Sequence, residues 1–438
     1  LLVSVAREEV LRELVRDARV VPAFPLDVMR DARLARTIAA SAEFARLSRY
    51  YRILDPAEET EARLLAALSR GTGVLGVLRA IDQRPRALEP VVRPVARADL
   101  YAPLHLRSRV EGGLGIEPAW RLSGSLGEAV QIADAEWAWL PEHEDLPLPP
   151  RSRDDWADYP EVALADHGTA TLGVLVARHE NGWALGIVPG AQPIRAPLAN
   201  GTTVDRAGGL WSAVARLFPG DVLLIEDHVE GPDDGTNQGT GKHLIPDEWY
   251  PAIGSIVRCA IDAGLVVVAA AGNGGRDLDS PLYDTGLPGF PAEWHNPFRR
   301  EHSTGALLVG AGEPGLGGST AGLAIGASNY GACVDVQAWG ACVVTCGPIG
   351  MGPVDRQNTA TLYTNVYGGT SSASAIIAGI VALVQSARKR AERAPLGCAE
   401  FKEGFDATGW VPEPVEPHKA IGPVPDAEAL MAWALARP

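Results

Sequence analysis

From about residue 100 onward the hydrophobic positions fall into short uninterrupted runs: AVQIA (129–133), ALGIV (184–188), VLLIE (222–226), LVVVAAA (265–271) and ALLVGA (306–311). Such runs predict strands buried on both faces, hence a parallel sheet covered by helices. Between them, GTATLGVLVAR (168–178), GGLWSAVARLF (208–218) and DEWYPAIGSIVRCAIDAG (247–264) read as helices. This alternation predicts an α/β fold with a doubly wound, mostly parallel sheet, whose functional groups gather at the carboxyl ends of the strands. The first 95 residues have another texture, rich in Arg, Leu, Ala and Glu and poor in Gly. A helix over 31–48, a strand over 49–54, a helix over 57–71 and a strand over 74–80 predict a small α/β sandwich. The Pro- and Arg-bearing stretch 85–97 reads as an exposed linker, so the chain divides into 1–97 and 98–438.

Composition narrows the class of protein. Thirty-nine basic against 54 acidic side chains give a net charge of −15, which argues against a nucleic-acid partner. No apolar run reaches the roughly 18 residues that would span a bilayer, so no membrane partner is expected either. The leading segment LLVSVAREEVLRELVRDARVV mixes charges throughout and has no apolar core of signal-peptide type. Five cysteines (Cys259, Cys333, Cys342, Cys346, Cys398) are an odd number and do not suggest a disulfide framework, although Cys342 and Cys346 could pair. They also lack the paired spacing of a metal site. GAGEPG (310–315) has dinucleotide-loop spacing, but Pro314 and the following GLGGSTAG offer no helix to receive a pyrophosphate. What remains is a Gly-rich globular chain in which an enzyme is the favoured class.

Four positions carry candidate chemistry. Asp134 closes the run AVQIAD, His167 precedes a Gly and a run of small residues, Asn273 follows the apolar run VVVAAAG, and Ser371 opens a helix of Ala, Ile, Gly and Val. Singly, each is an ordinary turn or cap residue. Together they run Asp, His, Asn, Ser along the chain. Their segments resemble those of the subtilisin-like serine peptidases. ADHGTATLG resembles the histidine block, GIVPGA (186–191) its usual follower, AAAGNGG the oxyanion block and GTSSAS (369–374) the serine block. His143-Glu144-Asp145-Leu146 resembles the tail of the aspartate block, and SNYGACVDVQAWG (328–340) a further family segment. The resemblance covers about 125–435. Glu136 and Ala375 depart from it, standing where Gly and Pro are common, and Ala170 and Thr171 replace the usual His and Val.

The resemblance implies an endopeptidase acting through an acyl-enzyme, with Ser371 as nucleophile, His167 as general base, Asp134 orienting the imidazole, and the Asn273 amide with the Ser371 N–H as oxyanion hole. It implies a substrate-pairing strand at His228, Val229, Glu230 and Gly231, where a basic preference is expected because Glu226, Asp227, Glu230, Asp233 and Asp234 crowd the neighbourhood. It also implies that the amino-terminal region is a propeptide, an intramolecular inhibitor removed by self-cleavage between about 85 and 110. The partner is a peptide or protein substrate, the chain acts as a monomer, and family habit points to secretion. No cofactor or metal is required for the chemistry, while Asp277, Asp279 and Asp284 offer oxygens for a structural calcium. Two other functions stay open: a specialised precursor-processing enzyme or transpeptidase, and a catalytically silent peptide-binding module.

Overall fold

The computed structural model describes all of the chain except residues 1, 16–17, 31, 55, 57–58, 79–103, 108–110, 141, 148–149, 179–183, 233–243, 315–320, 350–355 and 413–418. The amino-terminal region is built from β1 (Leu2–Val5), α1 (Glu8–Leu14), β2 (Arg19–Pro22), α2 (Ala32–Ala40), α3 (Ala42–Leu47), β3 (Tyr50–Leu54), α4 (Thr60–Ser69) and β4 (Val74–Leu78). Its strands form one antiparallel sheet in the order β2-β3-β1-β4. The helix expected over 31–48 breaks in two because Ser41 caps α3, accepting from the Phe44 amide at 3.0 Å. The linker expected at 85–97, and most of the expected cleavage region, lie outside the described residues.

The large region continues with α5 (Ile116–Ser123), β5 (Gln131–Glu136), α6 (Val162–Val176) and β6 (Gln192–Pro197). After a small hairpin of β7 (Ala199–Asn200) and β8 (Thr203–Val204) come α7 (Arg206–Val214), β9 (Val222–Ile225), β10 (His228–Glu230) and β11 (Leu244–Pro246). The chain then forms α8 (Pro251–Asp262), β12 (Val266–Ala270), β13 (Leu307–Gly312), β14 (Val336–Trp339), β15 (Val343–Cys346) and β16 (Tyr363–Tyr367). It ends with α9 (Gly369–Arg390), α10 (Cys398–Thr408) and α11 (Ala427–Ala436). Six strands make the expected parallel sheet, in the order β14-β13-β12-β9-β5-β6.

Strand alternation divides the core between the two faces of this sheet. Ile132, Leu224, Val268 and Val309 face α9 and α6, whereas Ala133, Leu223, Val267 and Leu308 face α7 and α8. Helix α9 is the buried axis of the first layer. Its 22 residues are long and apolar enough to cross a bilayer, yet they are buried in this core. Its basic end is put to structural use, since the Arg388 guanidinium donates to carbonyls of Ala394, Ala434 and Pro438 while Lys389 pairs with Asp221 at 2.9 Å. None of the five cysteines is in a disulfide, Cys342 and Cys346 included.

The two strands that the apolar runs did not predict, β6 and β14, are the edges of the sheet. Edge strands need no all-apolar run and tolerate proline, as QPIRAP shows. Conversely, ALGIV (184–188) is no strand. It crosses the end of α6, where the Gly186 Cα lies so close that a side-chain carbon would stand 2.5 Å from the Val176 nitrogen. The amino-terminal domain docks on the α7/α8 face. Trp211 is the anchor: Phe24 meets it edge-on at 5.6 Å, Phe44 stacks on it at 6.0 Å, and its indole donates to the Pro25 carbonyl at 3.0 Å. Arg52 pairs with Asp205 at 2.7 Å, and the Val77 amide donates to Gly289.

Candidate active site

Side chains from four elements converge at the carboxyl end of the parallel sheet. β5 ends on Glu136, two residues beyond Asp134, and strand periodicity puts both carboxylates on the same face. The two residues differ in depth. Glu136 stands at the strand's carboxyl end, where its Oε1 lies 2.5 Å from His167 Nδ1. Asp134 sits about 6–7 Å lower along the strand, fully buried, and accepts from the Trp139 indole at 2.7 Å. Its other oxygen has no hydrogen-bond partner among the described residues. The imidazole bond expected of Asp134 therefore belongs to Glu136. The residue that the resemblance marked as an anomaly takes the place of the residue that matched.

His167 lies in the second turn of α6, which begins at Val162 and not directly after the imidazole as expected. Gly168 follows because the helix passes against the loop after β5, where a side-chain carbon would stand 2.4 Å from the Ala138 carbonyl oxygen. Burial draws the His167 pKa down, but the adjacent charge and hydrogen bond of Glu136, with Asp227 behind, outweigh it and leave it raised. For Asp134, burial and then the Glu136 charge push the carboxyl well above its ordinary value.

Ser371 occupies the third position of α9, among the amides that have no partner within the helix. Gly369, at φ +77°, makes the turn into this helix, in the left-handed region that disfavours other residues. Asn273, in the loop after β12, is tied to the same helix start. Its Oδ1 accepts from the Thr370 amide at 2.9 Å and the Thr370 hydroxyl at 3.1 Å, and its NH2 end makes no hydrogen bond among the described residues. The loop is itself clamped by Asn329, whose amide donates to Leu244 and Ala271 carbonyls and whose oxygen accepts from Gly274 and Arg276. Asn329 stands in the quoted segment SNYGACVDV, but sequence reasoning assigned it no part. No hydrogen bond joins Ser371 to His167 among the described residues, a separation common before substrate draws catalytic groups together.

Glu226 is the second unforeseen member of the site. It follows β9, is buried, and lies 3.8 Å from His167 Nδ1. Its Oε2 is 2.6 Å from the Thr171 hydroxyl and 2.9 Å from the Tyr367 hydroxyl, and those two hydroxyls are 2.7 Å apart. The Tyr367 ring stands edge-on to the imidazole at 5.5 Å. Glu136, His167 and Glu226 bring their ligand atoms within 4.8 Å of one another, close enough to resemble a cation cage, and within it Glu136 hydrogen-bonds the imidazole.

The strand expected to pair with substrate is β10. It pairs antiparallel with β11, and its other edge carries no strand among the described residues. Val229 faces inward, in a cluster with Ile245, Trp249 and Tyr283. His228 is packed at its ring, and burial lowers its pKa to about 4. Gly231 lets the chain pass Ile245, where a side-chain carbon would stand at 2.8 Å. The acidic neighbourhood is smaller than the sequence suggested. Glu226 is consumed by the site, Asp227 is buried against Arg206 and the Trp137 indole, and Asp233 and Asp234 lie outside the described residues. Only Glu230 of the five remains partly exposed among those described, so the expected basic preference loses most of its support.

Of the three aspartates offered for a structural calcium, Asp284 and Asp279 are engaged by protein groups and Asp277 accepts from the Asp279 amide at 2.9 Å. Asp284 is clamped by Arg299 at 2.8 and 2.9 Å and by Asn296, and the same guanidinium reaches the Asp279 and Ser280 carbonyls. Asp279 also accepts from the Ala332 amide. At Asp284 the Arg299 guanidinium supplies the positive charge.

A doubly wound parallel sheet with His, Ser and Asn brought to one end defines an α/β hydrolytic scaffold. The model of the subtilase family matches residues 150–397, more than half of the chain, and the chain belongs to that family of proteases. It is 26% identical over 325 residues to a calcium-dependent protease of Trichormus variabilis (strain ATCC 29413 / PCC 7937), covering 68% of this chain and 45% of that one. It is 27% identical over 307 residues to a calcium-dependent protease of Nostoc sp. (strain PCC 7120 / SAG 25.82 / UTEX 2576), covering 64% and 43%. The chain thus spans less than half the length of these relatives. In fold it is similar to fervidolysin from Fervidobacterium pennivorans, a keratinolytic enzyme related to subtilisin, with a TM-score of 0.58, 16% identity, and 100% of this chain and 60% of that one covered.

Proposed function

We propose that the chain is a serine endopeptidase whose triad is Glu136, His167 and Ser371. The observation that carries this reading is the 2.5 Å contact between Glu136 and His167 Nδ1 at the carboxyl end of the sheet, where Ser371 stands in the first turn of α9. Glu136 holds the Nδ1 proton and so leaves Nε2 as the base toward the serine. His167 takes the Ser371 proton as Oγ attacks the substrate carbonyl, then gives it to the leaving amine. Glu136 stabilises the imidazolium without taking the proton. The oxyanion falls between the Asn273 NH2 and the Ser371 N–H, where the positive end of α9 adds to the field. Substrate backbone pairs with the open edge of β10, which requires no particular side chain there.

A fluorophosphonate probe tests the reading. Labelling of the parent at Ser371, lost in Ser371→Ala, together with cleavage of unfolded casein, supports it. An unlabelled but peptide-binding parent would make the chain a silent binding module, and action on one precursor alone would make it a specialised processing enzyme.

The amino-terminal domain is part of the proposal, as an inhibitor cleaved off by the enzyme itself. Its support is its docking on Trp211 and Asp205, which leaves its last described strand, β4, ahead of the expected cleavage region. Mass spectrometry of the parent beside Ser371→Ala should show a shortened parent and an intact variant. Equal full-length masses with an active parent would refute it.

A further inference from the structure

Three oxygen atoms beside the catalytic imidazole form a closed triangle: Glu226 Oε2, Thr171 Oγ1 and the Tyr367 hydroxyl, with edges of 2.6, 2.7 and 2.9 Å. Each edge is a hydrogen-bond distance and so needs a proton between its oxygens. The two hydroxyls supply two. If Glu226 were ionised, both would turn toward the carboxylate, and the Thr171–Tyr367 edge would hold two oxygens 2.7 Å apart with none between them. A third proton on Glu226 satisfies all edges in one direction: Glu226 donates to Thr171, Thr171 to Tyr367, and Tyr367 to Glu226. The rest of the carboxyl agrees. Oε1 is buried with no partner among the described residues, a steep cost for a charged group and a modest one for the carbonyl oxygen of a neutral acid.

We propose that Glu226 is a neutral carboxylic acid and a positioning residue for His167. The inference rests on the triad reading for its functional part only. The ring of hydroxyls fixes Tyr367, whose edge-on contact at 5.5 Å fixes the imidazole plane. A charged Glu226, 3.8 Å from Nδ1, would compete with Glu136 for the same proton and pull the ring from its orientation toward the serine. As an uncharged acid it fills the space and leaves the proton to Glu136. The charged and titratable groups around it are Glu136 and Asp134 on β5, His167 on α6, Tyr367 on β16 and Asp227 beside it in the chain. Burial first, then the charges of Glu136 and Asp134, push the Glu226 carboxyl well above the ordinary range, in the same direction as the geometry.

The test pairs a spectroscopic with a kinetic measurement on the full chain. In infrared difference spectra at pH 7, Glu226→Gln minus parent should lose a protonated-carboxyl C=O band; loss of a carboxylate pair instead would overturn the proposal. This readout needs no catalysis, so it stands even if the parent cleaves nothing. In the kinetic arm, Glu226→Gln preserves charge and shape. Its NH2 donates to both hydroxyls, Tyr367 donates to Thr171, and Thr171 turns to the His167 carbonyl at 3.3 Å. Its kcat should stay within about three-fold of the parent with KM unchanged, whereas Glu226→Ala should lose roughly ten-fold or more in kcat at similar KM. A Glu226→Gln loss as deep as that of Glu136→Gln would show an ionised orienting group, and an unaffected Glu226→Ala would show no positioning role.

Discussion

The two halves of the site, on either side of the sheet's centre, are built from opposite materials. The β5/β9 half gathers Asp134, Glu136, Glu226 and Asp227 around one imidazole. The β12/β13 half, where the serine helix begins, uses the uncharged amides of Asn273 and Asn329. The division follows the charges each half must meet. In the proposed mechanism a proton moves onto the imidazole in the first half, and fixed negative charge stabilises the cation that forms. In the same mechanism an oxyanion develops in the second, where a carboxylate would oppose the charge that the amide and the helix dipole favour. Acid crowding on the first side is eased because burial pushes the Asp134 and Glu226 carboxyls well above their ordinary range and Asp227 is paired with Arg206.

Mutations that cross this division should be the most damaging. Ser371→Ala removes the nucleophile where the halves meet and should abolish probe labelling and cost about 10⁶ in kcat, checked by single-turnover cleavage. Asn273→Ala should cost about 10²–10³ in kcat with little change in KM. Asn273→Asp imports the character of the other half and should be at least as slow; equal or better turnover would break the comparison. Asn329→Ala, which releases the clamp on the loop without touching substrate, should lower stability by about 1–3 kcal/mol in urea unfolding and kcat by roughly ten-fold.

The smallest effect is on pH. His167 must be neutral to act as base, and its pKa is raised, so activity should climb with pH through an acid limb above the ordinary histidine value. Glu136→Gln removes the charge that raises it, so the limb of the residual activity should move to lower pH. A limb that stays fixed would mean Glu136 is not the charge His167 senses.

The sequence was legible on the neutral side of the site and misleading on the charged side. Asn273 and Ser371 sit in loops and at a helix start, where Gly-rich segments give each position a local meaning. On β5, by contrast, Asp134 and Glu136 share a face, and only the depth at which the strand ends decides which carboxylate reaches the imidazole. That depth is set by the turn through Trp137–Trp139 and by the approach of α6, both tertiary. Glu226 was read as an acid near substrate because its contacts to Thr171 and Tyr367 come from distant parts of the chain. In the fold, the central strands were legible from their apolar runs, while β6 and β14 were not, since an edge strand carries no such run.

The central claim is that Glu136, and not Asp134, orients the catalytic histidine. Its most direct test is kcat/KM for Glu136→Gln beside Asp134→Asn, on one peptide substrate at neutral pH. The account predicts a loss of about 10³–10⁴ for Glu136→Gln and less than about ten-fold for Asp134→Asn, whose amide oxygen can still accept from Trp139. The reverse order, with Asp134→Asn the crippled enzyme and Glu136→Gln nearly intact, would contradict it.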